Sequence, residues 1–191
     1  MWSDDARLMR RLRPDSCGEA YRPPRELRVV SCTQTGELSG MFLHGDCPVA
    51  ELDRRGLMVL ELDGDGEQRT VRFALRELAA VGDRRLGACG EMELRVGSAA
   101  GLCALAARMR WPGELTFRGM YEALQGEIEA IWRGAAEELR AGAPWTRDDW
   151  VRELRGLPPL AWNDTARLLM GYGLILPPGK AVLRQLAPDA R

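Results

Sequence analysis

Residues 116–140 read TFRGMYEALQGEIEAIWRGAAEELR, and this stretch predicts the one long amphipathic helix around which the rest of the chain is arranged. At about 100° per residue, Phe117, Met120, Tyr121, Leu124, Ile128, Ile131, Trp132, Ala135 and Leu139 share one apolar arc about 120° wide. Glu122, Glu127, Glu129, Arg133, Glu137 and Glu138 lie mainly outside it, and Glu129 with Arg133 is spaced as a favourable i,i+4 pair. Thr116 is the natural N-cap and Gly142 a natural stop. Such a helix must bury its dry side against other elements. Gly119 and Gly126 fall opposite the arc, about 200° and 180° from Phe117, where each costs roughly 1 kcal/mol relative to alanine. Packing within a monomer does not ask for glycine there, so both are interface candidates, where a second protomer's backbone can approach closely.

Upstream of the helix the pattern is mostly strand-like. Leu27–Cys32 is rich in β-formers, and a short strand is expected around Met41–Leu43. Leu57–Leu62, the turn Asp63-Gly64-Asp65-Gly66 and the alternating run Arg69–Leu75 read as a hairpin. Cys89–Val96 alternates again as a half-buried strand, and Ala99–Arg110 predicts a helix ended by Trp111-Pro112-Gly113. Downstream, Thr146–Leu157 is expected as a helix opened by a capping box with Asp149. Pro158 and Pro159 interrupt, a second helix runs from about Asn163 to Tyr172, and Gly173 terminates it. Leu174–Leu176 is a short apolar run, and Ala181–Leu186 a last strand or helical turn.

At the N-terminus, residues 3–13 read as a short helix capped by Ser3 and stopped by Pro14. Leu8, Met9 and Leu12 would form its apolar stripe, available for docking, for a partner or for a membrane surface. Strands early and helices late point to the α+β class, a small mixed or antiparallel sheet with helices packed on one face. The expected division is an N-terminal helix and linker over residues 1–25 and a single α+β domain over 26–187. A chain of 191 residues, 46% hydrophobic, is long enough for that one core.

With 28 acidic and 27 basic residues the chain has no long-range field to draw in nucleic acid, and none is expected as a partner. No apolar run approaches the roughly 18 residues that span a bilayer, and MWSDDARLMRRLR lacks the apolar core of a signal peptide. The expectation is therefore cytoplasmic, with peripheral contact at the inner face of a membrane left open by the N-terminal stripe. Cys17, Cys32, Cys47, Cys89 and Cys103 are odd in number and never spaced as CxxC, which predicts reduced thiols.

His44, beside Asp46 and Cys47, is the one constellation that suggests chemistry, a nucleophile with its base or, with Cys17 and Cys32, an irregular metal set. Adjacency in sequence supplies no convergence in space, so no catalytic residue, metal ligand, cofactor or small-molecule ligand is assigned. An enzyme built on His44, Asp46 and Cys47 stands as the alternative. DGDGE lacks the remaining ligands of a calcium loop and reads as a turn, as does Gly171-Tyr172-Gly173. Trp132 belongs to the buried arc, and Trp111, Trp145, Trp150 and Trp162 sit near helix boundaries, where indoles commonly pin elements together.

From Val81 onward a family pattern is visible. GACGEMELRVGSAAGLCALAARMRWPGELTFRGMYEALQGEIEAIWRGAAEEL resembles the glycine-aromatic strand, helix and long regulatory helix of the SPFH, or band-7, family of stomatins, prohibitins and flotillins. WVRELRGLPPLAWNDTARLLMGYGLILPPGKAVL resembles its following helix and closing step into a strand. The resemblance spans residues 81–186 and rests on hydrophobicity and glycine placement. It implies a bacterial, non-enzymatic module that assembles with itself or with another protein as a scaffold or adaptor. A subunit of a larger bacterial or phage assembly is a further alternative. The N-terminal apolar anchor and the long coiled coil of many members have no counterpart in this sequence, so assembly is expected to use the surface of the domain itself.

Overall fold

The computed structural model describes residues 6–25, 27–43, 45–62, 68–81, 84–140 and 157–185. Where one small sheet was expected, two antiparallel sheets and their helices close around one main core, which keeps the chain in the α+β class.

The first sheet has five strands in the order β3 (Leu38–Phe42), β2 (Arg28–Cys32), β4 (Met58–Leu62), β1 (Arg7–Leu12) and β7 (Glu114–Thr116). Its inner strands are covered on both faces. Val30, Cys32, Leu60 and Leu62 point into the main core, while Val29, Val59 and Leu12 join Cys47, Val49 and Leu52 in a smaller core on the other side. That second face is closed by α2 (Val49–Arg54), against which the single turn α1 (Pro14–Cys17) rests.

Two expectations fail in this sheet. Arg7–Leu12 is an interior strand and not a helix, paired with β4 from Met9↔Leu62 to Leu12↔Val59 and with β7 on its other side. The pairing with β7 shifts register between Arg7 and Met9, and both Leu8 and Met9 enter the main core, so two adjacent apolar residues imitate helical spacing. Leu8, Met9 and Leu12 are buried and offer no stripe to a partner or a membrane. Residues 3–5 of that expected helix lie outside the described residues.

The second failure concerns the hairpin. β4 already has β2 and β1 on its two sides, so it has no free edge for the strand that follows it. That strand, β5 (Arg69–Val81), pairs instead with β6 (Arg84–Val96) from Arg69↔Leu94 to Val81↔Arg84. The Asp63–Gly66 turn is outside the described residues. The far edge of β6 carries β8 (Leu174–Ile175) and β9 (Ala181–Gln185), the latter settling the choice between strand and helical turn.

This second sheet has one wet face. Val71, Phe73 and Leu75 of β5 and Ala88, Met92 and Leu94 of β6 point inward, alternating with Arg72, Ala74, Glu91 and Glu93, as expected for a half-buried antiparallel pair. A bulge interrupts β5, where Arg76, Glu77 and Leu78 stand against the single residue Gly87 and Glu77 takes φ 53°. A Cβ on Gly87 would lie 2.6 Å from the Leu75 carbonyl oxygen, so glycine is needed opposite the bulge.

Helix α3 (Ala99–Arg108) begins at Ser98, whose hydroxyl accepts from the Gly101 amide. Its N-terminal turn touches the loop after the last helix so closely that a Cβ at Gly101 would run into the backbone of Tyr172 and Gly173. The helix ends in a Schellman arrangement, with Trp111 N–H donating to Ala106 and Arg110 N–H to Ala107. The left-handed position usually given to glycine is filled by Arg110 at φ 58°.

The long helix α4 (Phe117–Arg140) forms where predicted, with the Thr116 hydroxyl accepting from the Gly119 amide at 3.0 Å. Phe117, Met120, Tyr121, Leu124, Ile128, Trp132 and Ala135 are buried, while Ile131 and Leu139, inside the same arc, are half-buried. Trp132 and Tyr121 flank Phe73 of β5 at centroid distances of 5.6 and 6.5 Å. The helix thus lies on the inner face of the second sheet. The last described helix, α5 (Leu157–Gly171), packs beside it and starts earlier than expected. Pro158 and Pro159 occupy its first turn, where the amides that proline lacks would have no intrahelical acceptor. Gly173, at φ 77°, ends the segment as predicted. The expected helix Thr146–Leu157, with Trp145 and Trp150, and the Gly142 stop lie outside the described residues apart from Leu157 itself.

Candidate functional site

The second face of the five-stranded sheet holds a buried carboxylate. Glu61, 1% exposed, stands on β4 directly across from Arg10 on β1. Arg10 Nη2 donates to Glu61 Oε2 at 3.1 Å and lies 3.0 Å from Oε1, which Arg7 Nη2 also approaches, at 3.2 Å. Oε1 has charge contacts with both guanidiniums but no aligned hydrogen bond, so its stabilisation there is Coulombic. The Tyr21 hydroxyl completes the group by donating to Oε2 and accepting from Arg10 Nη2.

The electrostatics agree with that geometry. Burial opposes the Arg10 charge, but the attraction and hydrogen bond of Glu61 outweigh it and hold the guanidinium above its ordinary pKa. Burial, followed by the hydrogen bond to Glu61 and its charge, pushes the Tyr21 phenol up. A carboxylate enclosed this way is tied to its neighbours, and its chemical capacity is to clamp β1, β4 and the Tyr21 segment together. Tyr21 is itself bridged to Cys47 by a pair of backbone hydrogen bonds of 2.8 and 2.7 Å. Sequence reasoning passed over Glu61. The available signal was a single acid inside the apolar run Leu57–Leu62, which needs a cation that only the sheet order supplies.

The His44, Asp46 and Cys47 constellation is pulled apart where it is described. Asp46 is exposed and bound to Arg22 Nε at 2.7 Å, whereas Cys47 is fully buried, its thiol pushed up to about 11 by burial and then by the neighbouring Cys17. That is the opposite of the exposed, low-pKa thiolate a nucleophile requires. His44 lies outside the described residues. Cys17 and Cys47 belong to the smaller core, while Cys32 lies in the main core, its thiol donating to the Met58 carbonyl at 3.6 Å and pushed up by its neighbour Cys103 ahead of burial. Among the described residues no group of His, Cys, Asp and Glu gathers as metal ligands.

Of the glycines named as interface candidates, Gly126 is exposed with nothing near its missing Cβ. Gly119 is half-buried, and a Cβ there would stand 3.2 Å from Leu115 Cδ1, so a methyl group at that position has less room than at Gly126 and the leucine must yield to it.

The surface offers a different feature. Among the described residues the exposed large apolar side chains are Leu38, Met41, Leu43, Leu160, Met170 and Val182. Half of them stand on or beside β3, the outer strand of the first sheet: Leu38 is 39%, Met41 42% and Leu43 50% exposed. No protein-family model matches the chain, and no curated protein matches it. Among the described residues no helix is long and apolar enough to cross a membrane.

Proposed function

We propose that the protein is a non-catalytic assembly or adaptor module that works through its surface, with self-association as its leading mode. The observation that carries this reading is the exposed apolar set Leu38, Met41 and Leu43 on and beside an edge strand. Apolar side chains gathered at one place on a surface mark a site for another macromolecule more often than chance scatter does. The polar cluster at Glu61 is occupied with its own neighbours, and Cys47 is buried, so the described chemistry serves the fold. An SPFH-type module is the form this proposal takes, supported by the succession of β6, α3, the long α4, α5 and β9 over the segment that resembles that family.

Sedimentation velocity over a wide concentration range tests it. The expected outcome is a species whose size grows with concentration. A monomer at every concentration would remove self-assembly and leave only an adaptor for other proteins.

A further inference from the structure

We infer that the protein dimerises by pairing β3 with β3 of a second copy, joining two five-stranded sheets edge to edge; this rests on the self-assembly reading above and names its surface. β3 is an edge strand and, among the described residues, pairs only with β2, so half of its backbone groups face away from the sheet. β3 and the Leu43 that follows it carry neither a charge nor a proline, two of the devices that blunt a sheet edge.

Another long edge of the molecule is treated differently. On β5 the Ala74 amide donates to the Tyr121 hydroxyl at 3.2 Å, and that hydroxyl donates to the Ala74 carbonyl at 2.9 Å, so the outward backbone groups there are already satisfied. The bulge at Arg76–Leu78 and the charges of Arg72 and Arg76 disrupt the same edge. β3 carries a bulge of its own, where Ser31 pairs with Gly40 but Cys32 with Leu38, yet it has no charged side chain along its edge.

The occupant follows from charge and symmetry. An uncharged strand gives a charged peptide no counter-ion, but it is complementary to itself. Leu38 and Met41 pair with Cys32 and Val30 of the main core, which places them, and by alternation Leu43, on one face of the sheet, while Phe42 packs with Val29 on the other. A two-fold axis perpendicular to the sheet pairs the strands antiparallel and keeps the same face of both copies on one side. A register centred on Met41 sets the Met41 side chains of the two copies across from each other, an apolar cross-strand pair with no like charges opposed.

The test compares the full chain with Met41→Lys and, as a control on a separate exposed apolar residue, Val182→Lys, by sedimentation equilibrium with thermal melts alongside. Met41→Lys is expected to melt like the parent and to weaken association by more than about tenfold, while Val182→Lys leaves it unchanged. If Met41→Lys fails to fold, Leu43→Lys carries the same expectation. A parent that associates, with the β3 variants associating equally well, overturns the β3 interface and leaves self-assembly standing. A parent that stays monomeric overturns both.

Discussion

In the five-stranded sheet β4 is buried on both faces, so its carboxylate, Glu61, is matched inside the protein by Arg7, Arg10 and Tyr21; in the second sheet β5 and β6 keep one face open, and Arg72 lies 3.9 Å from Glu91 on that side. The two sheets therefore differ in what joins them. The first adds, to apolar packing on both faces, a polar clamp whose parts come from three separate stretches of chain. The second is held by the apolar faces of β5 and α4, where Phe73 meets Trp132 and Tyr121.

The largest expected effect probes the apolar side of that contrast. Trp132→Ala should cost about 3 to 5 kcal/mol in a denaturant melt, because it empties a buried site against Phe73 and removes an aromatic pair. A loss under about 1 kcal/mol, the range of surface substitutions, would mean that α4 does not hold the second sheet.

The clamp is probed by Arg10→Met. The variant leaves Glu61 buried with Arg7 and Tyr21 as its remaining partners, and should cost about 2 to 3 kcal/mol, below the full effect of breaking a buried pair because one guanidinium remains. Adding Glu61→Leu should recover part of that loss by removing the under-compensated charge, a sign that would separate charge burial from simple packing.

The smallest effect has the opposite sign. Gly126→Ala should raise stability by roughly 1 kcal/mol, read as a higher melting temperature, since nothing lies within 4 Å of the added methyl group. Gly119→Ala should gain less, with Leu115 Cδ1 3.2 Å from the new Cβ. Equal gains would show that the Leu115 side chain yields freely.

Legibility divided along the same line. α4, α3 and the inward residues Val71, Phe73 and Leu75 could be read directly, because an element with one dry face repeats that face at its own period, 3.6 for helix and 2 for strand. β1 could not, since the register shift beside Leu8 and Met9 breaks the alternation that would have named it a strand. β2 and β4 were recognised as strands, yet their near-continuous burial says nothing of which strand lies beside which.

What the sequence determined by itself, then, is the set of one-faced elements, the Thr116 cap and the Gly173 stop, all governed by contacts within a few residues. Only the tertiary structure decided that β4 turns away from β5, that Pro158 and Pro159 open a helix, that Leu8, Met9 and Leu12 are core, and that Glu61 finds Arg7, Arg10 and Tyr21. Each of these depends on which distant segment fills a neighbouring position. Strand pairing joins residues far apart in the chain through backbone groups common to nearly all of them, so the choice is made by the packing of the whole and leaves little trace in any local window.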